Sequence, residues 1–291
     1  MIKRILISAL LIGVVLNNCY SWGYKAHQKI VGTAVFILPF EMIGFYKKHI
    51  DYLTDNASKP DTKKFVNETE STNHYIDIEH YGLHPFDSLP QNWCEATYKF
   101  TEDTLKKYGI CPWHISLVLY ELTEAFRNID YDKILYYSVY ISHYISDLNV
   151  PFHCTQYYDG KTVEQKGIHK LFETRIPDIN MNKYNFWVGK AQYLKNPEES
   201  IWQTAKESYQ LVDTLLKSID YLNSSFSVDQ RYTYESAGNL TNLVYSEEYA
   251  NAYDEKTNGV VEERIKNSIY LTACLWYTAW INAGQPNLIN N

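Results

Sequence analysis

The segment ISHYISDLNVPFH, residues 141–153, constrains the fold of this chain more than any other stretch. It places His143, Asp147 and His153 within eleven residues of an apolar, tyrosine-rich run. Residues four apart on a helix project from the same face, so His143 and Asp147 are expected one turn apart. Pro151 ends such a helix, which allows His153 to turn back toward the same cavity. Two imidazoles and a carboxylate in a buried segment need partners, because burying a polar group without one is costly.

Further imidazole and carboxylate groups continue the pattern along the chain. GIHKLFE places His169 and Glu173 four residues apart on a second short helix. STNHYID carries His74, KPDTKK carries Asp61 thirteen residues earlier, and His27 lies on the first expected helix. A single histidine on an apolar helix is usually a satisfied core residue. This combination, without paired thiolates, is instead typical of hydrolytic zinc sites and predicts a metal cluster.

The hydrophobic periodicity predicts an all-α fold, a compact multi-helix single domain with the active-site cleft between helices. Apolar residues recur at three and four positions, and no sustained alternation indicates a sheet of any size. The polar stretch 58–90 is expected to form a long ordered loop, and a short helix is expected to begin near residue 165. The main helices are expected over residues 23–38, 40–57, 93–108, 112–128, 131–148, 197–221, 228–253 and 260–282.

The first 21 residues are typical of a signal peptide. Two positive residues precede the apolar run ILISALLIGVVL, and Cys19 and Ser21 supply the small residues that signal peptidase recognises. Cleavage after Ser21 predicts a secreted or periplasmic protein whose single domain, residues 22–291, begins with Trp22. Lipidation at Cys19 is the alternative, although LNNC is a poor lipobox.

Charge and cysteine content narrow the classes of partner. The formal net charge is −7 and no Lys/Arg patch is present, so a broad positive surface for nucleic acid or anionic lipid is not expected. No later segment is long and apolar enough to anchor the chain in a membrane, and we expect a monomer.

Four cysteines of the mature chain are too few for a disulfide framework, and pairing of Cys94 with Cys111 stays open. Cys154 is interpreted as a buried free thiol rather than a metal ligand, and Cys274 carries no assigned role.

The segments WGYKAH, PD, HYID, HYISDLNVPFH and GIHKLFE together resemble a known superfamily. It comprises the bacterial zinc-dependent phospholipases C and the single-strand-selective zinc nucleases of fungi and plants. The motifs occur in the order that this superfamily shows, from Trp22 to Glu173, and the remaining chain is similar only in helical character. The resemblance implies a secreted, all-helical hydrolase that holds three zinc ions at the bottom of a cleft.

The resemblance also implies a ligand set for each ion. The first zinc would take Asp61, His74, His143 and one oxygen of Asp147. The second would take the free amine and carbonyl of Trp22, His27 and the other oxygen of Asp147. The third, more exposed zinc would take His153, His169 and Glu173.

The implied chemistry is hydrolysis of a phosphate ester. Three divalent ions outweigh three carboxylates, so a net-acidic protein would have a concentrated positive centre suited to a phosphodiester. The implied mechanism is in-line attack on phosphorus by a hydroxide held at the pair of ions that Asp147 bridges. Asp61 would orient or deprotonate the attacking water. Asp77, three residues after His74, is expected to hydrogen-bond an imidazole and fix its tautomer.

The sequence features divide between two classes of substrate. Glu173 as the last carboxylate follows the phospholipases, whereas WGYKAH and HYID follow the nucleases. Thr62 stands where a phospholipase would offer an aromatic residue to choline. The acidic balance favours a phospholipase-C-like phosphodiesterase over one acting on long nucleic acids. A single-strand nuclease or 3′-nucleotidase on the same site, and a non-catalytic metal-binding protein, are the alternatives.

Overall fold

The computed structural model describes residues 23–237 and 240–288. Within these ranges the chain is a bundle of helices with a single two-stranded antiparallel sheet, which confirms the predicted all-α class. The predicted signal peptide and Trp22 lie outside the described residues, so the structure does not test them.

The helices of the N-terminal half include the segments that form the centre of the bundle. In chain order they are α1 (Tyr24–Val35), α2 (Phe40–Lys48), α3 (Ile50–Asp55), α4 (Lys59–Lys63), α5 (Pro85–Ser88), α6 (Trp93–Phe100), α7 (Glu102–Lys107), α8 (Cys111–Arg127) and α9 (Tyr131–Leu148). Two 3-10 helices, Glu68–Asn73 and Ile78–Tyr81, lie between α4 and α5. The predicted loop 58–90 is therefore ordered but partly helical.

The C-terminal half alternates short turns with two long helices. The 3-10 helices Pro151–His153 and Val163–Gln165 are followed by α10 (Ile168–Lys170), the π-helix Leu171–Arg175 and α11 (Ile176–Asn180). The remaining elements are α12 (Pro197–Ser225), α13 (Val228–Arg231), β1 (Tyr232–Ala237), β2 (Leu240–Tyr245), α14 (Glu247–Lys256) and α15 (Val260–Asn282).

Helix α9 occupies the middle of the bundle, where it packs against α8, α15, α1 and α12. The Asp130 side chain caps its N-terminus by accepting from the Lys133 N–H at 3.2 Å. Every residue from Ser138 to Leu148 is buried, so this part of the helix is surrounded on all sides. It ends at Leu148, and Val150 adopts the extended conformation favoured before Pro151.

An aromatic contact links α9 to the neighbouring helices. The Trp276 ring of α15 stacks on Tyr46 of α2 with centroids 4.7 Å apart, and its Nε1–H donates to the Ser138 carbonyl at 3.1 Å. The Tyr46 hydroxyl lies 2.8 Å from the Ser138 hydroxyl. Trp276 and Tyr46 are fully buried, so their polar atoms are satisfied within the core.

Two predicted helices are interrupted, and one is replaced in part by strands. The expected helix 40–57 breaks at His49, and 93–108 breaks at Thr101, whose φ of 65° is incompatible with helix. The prediction of helix over 228–253 is wrong between Tyr232 and Tyr245, where β1 and β2 form an antiparallel pair. Tyr, Thr and Val favour strand in YTYESA and LTNLVY, and Gly and Asn between them favour a turn.

The connection between α7 and α8 runs against the segment that carries His74. Gly109 has a φ of +87°, and a Cβ there would lie 2.2 Å from the Tyr75 carbonyl oxygen. The adjacent Ile110 N–H donates to Thr72 O at 2.8 Å. A residue without a side chain is therefore required for this close approach.

We expect Gly109→Ala to lower the free energy of unfolding by about 2–4 kcal/mol, because strain and overlap add. Gly44→Ala is the matched control, since a Cβ at that position in α2 meets no atom within 4 Å. Alanine favours helix, so the control should gain about 0.5–1 kcal/mol. Urea unfolding measures both changes, and equal stability of Gly109→Ala and the original protein would contradict the expectation.

Two further sequence predictions concern the cysteines and the membrane. All four cysteines of the described chain carry free thiols, and Cys94 is the exposed one. The interpretation of Cys154 as a buried free thiol is confirmed, and Cys94 does not pair with Cys111. Within the described ranges, every helix is too short or too polar to cross a bilayer.

Candidate metal centre

The candidate site is built on helix α9, which presents His143 and Asp147 on one face. Both side chains are buried, and His143 Nε2 lies 3.4 Å from Asp147 Oδ2. The predicted one-turn spacing is therefore observed. Because this part of α9 is packed on every side, the two groups occupy fixed positions in the bundle.

Asp61 of α4 and His74, which follows the 3-10 helix Glu68–Asn73, converge on this face. His143 Nε2 lies 3.5 Å from Asp61 Oδ1 and 3.2 Å from His74 Nδ1. His74 Nδ1 also lies 2.7 Å from Asp147 Oδ2. Two imidazoles and two carboxylates thus meet although up to 86 residues separate them in the sequence.

His27 reaches the same cluster from the buried face of α1. Its ring stacks on His143, with centroids 4.1 Å apart and an interplanar angle of 16°. His27 Nε2 lies 3.6 Å from Asp147 Oδ1. Asp147 therefore has an imidazole nitrogen near each of its two carboxylate oxygens.

A third group forms where the chain turns after α9. The 3-10 helix Pro151–His153 brings His153 to face the helical stretch that contains His169 and Glu173. Glu173 Oε2 lies 3.0 Å from His169 Nε2 and 3.7 Å from His153 Nε2. His153 and His169 are 7% and 5% exposed, whereas Asp147 is fully buried, so solvent reaches this group more easily.

The separations between these atoms suit ligands that share metal ions. Nitrogen or oxygen ligands about 2.0–2.2 Å from a tetrahedral zinc lie about 3.3–3.5 Å apart. The contacts described above range from 2.7 to 3.7 Å. His27 Nε2, Asp61 Oδ2 and His153 Nε2 are buried and have no hydrogen-bond partner among the described residues. Buried polar atoms rarely lack a partner. A cation bound to these nitrogen and oxygen atoms would supply the partner that they lack.

Backbone carbonyls orient two of the imidazoles. His143 Nδ1–H donates to Ala57 O at 2.9 Å, and His153 Nδ1–H donates to His74 O at 2.7 Å. A proton on Nδ1 leaves the Nε2 lone pair directed at the cluster. Such contacts fix the tautomer and ring orientation that a metal ligand requires.

The pKa values of His27, His74 and His153 are lowered, which favours the neutral form that a metal ligand adopts, whereas Asp147 and Asp61 raise the pKa of His143 against the effect of burial. Burial lowers the pKa of His27, and His143 lowers it further. Burial and the neighbouring Lys64 similarly lower the pKa of His74. Burial lowers the pKa of His153 to about 4, even though Glu173 opposes the shift.

The pKa values of the two acids of the inner cluster are shifted in opposite directions. Burial alone would raise the pKa of Asp61, but His143 and Lys64 outweigh it and hold this pKa well below its usual value. Burial raises the pKa of Asp147, and the nearby Asp61 adds to the shift. Lys64 Nζ donates to Asp61 Oδ1 at 2.8 Å, so a cation already accompanies the acids.

All eight described residues of the predicted ligand set converge, in three buried groups. The ligand atoms within each group lie within 4.8 Å of one another. The groups are His27, Asp61 and His143; His74, His143 and Asp147; and His153, His169 and Glu173. These groups could hold metal ions.

The ninth predicted ligand, Trp22, lies outside the described residues. The described chain begins at Gly23, whose N–H donates to the Glu173 carbonyl at 2.9 Å. The start of the described chain is therefore hydrogen-bonded to a residue of the third group.

Two charged residues beside the cluster, Lys64 and Glu70, were not predicted from the sequence. Glu70 Oε1 lies 3.8 Å from His74 Nε2, so Glu70 is the acid beside this nitrogen, whereas the sequence had suggested Asp77 as the acid that hydrogen-bonds an imidazole. The spacing of Glu70 and His74, four residues apart, matches the pairs already recognised. The signal was therefore present in ETESTNH, which sequence analysis did not consider.

Comparison with known proteins adds no relative. A scan against protein families finds no matching family, and a search of curated proteins finds no similar sequence. The proposed function therefore rests on the geometry of the three groups and on the motifs in the sequence.

Proposed function

We propose that this chain is a secreted zinc-dependent phosphodiesterase that holds three zinc ions and acts as a phospholipase C does. The proposal joins the convergence of eight imidazole and carboxylate residues to the motif resemblance with phospholipases C and single-strand nucleases. Imidazole and carboxylate ligands without thiolates favour zinc in a hydrolytic role.

The observation that carries the proposal is the environment of Asp147. His27 Nε2 lies 3.6 Å from Oδ1, and His74 Nδ1 lies 2.7 Å from Oδ2. A carboxylate flanked in this way suits a bridge between two neighbouring ions. Paired ions joined by one carboxylate are a recurring arrangement in enzymes that cleave phosphate esters.

The third group supports the same chemistry. His153, His169 and Glu173 supply three protein ligands, which is the number typical of catalytic zinc sites with an open position. His153 of this group donates to the His74 carbonyl at 2.7 Å, so the third group lies near the inner cluster. Its greater exposure suits contact with a substrate.

The residues of the three groups would bind the zinc ions, and Asp61 would in addition act on the attacking water. Bound zinc supplies Lewis-acid polarisation of the phosphate ester and acidifies a coordinated water. The low pKa of Asp61, set by His143 and Lys64 against the effect of burial, keeps its carboxylate ionised. Its Oδ2 has no hydrogen-bond partner within the described ranges, so it can accept a hydrogen bond from the attacking water and orient it.

Zinc content and substrate cleavage test the proposal together. We expect about three zinc ions per mature chain by elemental analysis and release of phosphorylcholine from lecithin. Chelation should lower the rate by a factor of at least about 100, and zinc should restore it, because no other group can replace the Lewis acid. Cleavage of denatured DNA instead of lecithin would favour the nuclease alternative.

His84→Gln is the matched control, because this exposed histidine lies outside all three groups. It should retain both zinc and activity. Fewer than two zinc ions per chain, or no hydrolysis of either substrate, would refute the proposal and favour a non-catalytic protein.

Export and maturation are part of the proposal. Cleavage after Ser21 would give Trp22 a free amine, which can coordinate zinc as an amide nitrogen cannot. The Gly23–Glu173 hydrogen bond supports a position of the mature N-terminus near the site. N-terminal sequencing of the exported protein tests this part, and any other first residue would remove the proposed ligand.

A further inference from the structure

Glu70 is a buried acid that the proposed reaction does not use. It lies on the 3-10 helix Glu68–Asn73, is 2% exposed, and is four residues from His74. Burying a carboxylate is costly unless it is paired and hydrogen-bonded. Its contacts therefore indicate why the fold keeps an acid at this position.

Two of these contacts hold the carboxylate in place. The Tyr144 hydroxyl donates to Glu70 Oε1, and Lys63 Nζ lies 2.9 Å from Oε2. Tyr144 follows His143 on α9, and its ring meets the His74 ring edge-on at 5.1 Å. The carboxylate is therefore fixed from one side by the helix that carries the site and from the other by a lysine.

The third contact is with His74 itself. Glu70 Oε1 lies 3.8 Å from His74 Nε2, which is buried and has no hydrogen-bond partner in the part of the chain that the structure describes. Nδ1 of the same ring faces His143 and Asp147. If Nδ1 binds an ion, the proton of the neutral ring must reside on Nε2 and needs an acceptor.

Glu70 differs from the groups that orient the other imidazoles. Backbone carbonyls accept from His143 and His153, whereas a carboxylate stands beside His74. A carboxylate makes its histidine a more basic ligand than a neutral carbonyl does, and removing such a partner typically weakens metal binding 10- to 100-fold.

We propose that Glu70 is a positioning residue that accepts the His74 Nε2 proton and directs Nδ1 toward the inner metal group. The inference rests on the proposed metal centre. Closing the present 3.8 Å separation to a hydrogen bond requires a movement of about 1 Å by either side chain. The pair with Lys63 and the Tyr144 hydrogen bond keep the carboxylate aimed at His74.

The test compares metal affinity in Glu70→Gln with that of the original protein. Titration of zinc against a competing chelator should show a 10- to 100-fold loss at the inner group. Binding at the group of His153, His169 and Glu173 should be unchanged. Cobalt substitution provides a second readout, since the visible spectrum of the inner ions should shift while that of the third does not.

Three further variants separate positioning from a structural role. Glu70→Asp keeps the charge but withdraws it by one methylene, so we expect an intermediate loss of affinity, measurable even if Glu70→Gln does not fold. Tyr144→Phe removes one of the two contacts that hold the acid, so it should lower zinc affinity by a smaller factor than Glu70→Gln, because Lys63 still holds the carboxylate beside His74. Glu207→Gln, which alters the acid paired with buried Arg264, is the matched control and should bind zinc normally.

The two proposals fail differently. If the original protein binds no zinc, the proposed function fails. If it binds zinc and the Glu70 variants bind it with the same affinity and cobalt spectrum, the role of Glu70 is refuted while the metal centre stands. A uniform loss at all three ions would likewise refute positioning through His74.

Discussion

Asp147→Asn should lose two of the three expected zinc ions and reduce phosphodiesterase activity on the order of 1,000-fold or more. Imidazoles from α1, α9 and the segment after Asn73 approach the two oxygens of this carboxylate. An amide has one oxygen that can bind a cation and carries no charge, so it cannot replace a bridging carboxylate. The expected loss corresponds to several kcal/mol of electrostatic stabilisation.

Loss of the fold should not accompany this loss of metal. Burial raises the pKa of Asp147 in the metal-free cavity, so the ionised carboxylate is costly there. Asparagine is similar in size and removes the charge. We therefore expect the metal-free variant to be at least as stable toward urea as the metal-free original protein.

Elemental analysis, activity assays and urea unfolding check this result. Asp132→Asn is the matched control, because Asp132 is an exposed carboxylate in the first turn of the same helix. Three retained zinc ions in Asp147→Asn would show that this carboxylate does not bridge ions.

Trp276→Ala should lower the free energy of unfolding by about 3–5 kcal/mol, the largest stability effect that we expect from one core substitution. The fully buried indole stacks on Tyr46 and donates to the Ser138 carbonyl of α9. Its removal leaves a cavity between α2, α9 and α15 and takes away one hydrogen-bond donor. Because α9 carries the inner metal group, zinc affinity should fall as well.

Denaturant unfolding with and without zinc measures both effects. Trp187→Ala is the matched control, since the Trp187 side chain is 80% exposed and its truncation removes little buried area. A difference of less than about 1 kcal/mol between the two variants would contradict this account of the core.

The sequence was most informative where one periodicity persists over many residues. The predicted helix 131–148 matches α9 at both ends, because Asp130 caps its start and Pro151 forces the chain to leave the helix. The predicted helix 260–282 matches α15 in the same way. These long apolar helices bury enough surface to override local irregularities.

Breaks and strands depended on contacts that a helical pattern does not contain. Thr101 interrupts 93–108 and its hydroxyl caps α7, which permits two short helices at an angle. The hairpin is held by an ion pair between Arg175 and Glu235 and by the Arg175 Nε–H bond to Tyr245 O. Arg175 is distant in sequence from both Glu235 and Tyr245, so these contacts could not be predicted. The hydrophobic pattern alone favoured a continuous helix over residues 228–253.

The candidate site was easier to predict than its surroundings. Two pairs of residues four apart are visible in the sequence: His143 with Asp147, and His169 with Glu173. The other ligand residues were predicted from short motifs and from the order of these motifs along the chain. The roles of Lys64 and Glu70 depended on α4 and the next turn folding against α9. Such long-range packing leaves only a weak local signal in the sequence.

The continuous burial of residues 138–148 in α9 limits how the ligand residues of the site can move. His143 and Asp147 lie on this buried part of the helix, so neither side chain can shift independently when an ion or ligand binds. Any movement of ligand residues on binding would therefore come from the shorter segments that supply Asp61, His74 and His153. One side of the site is therefore a rigid, buried helix, and the other side consists of shorter segments. Substitutions in these shorter segments are expected to change which ion or ligand the site binds.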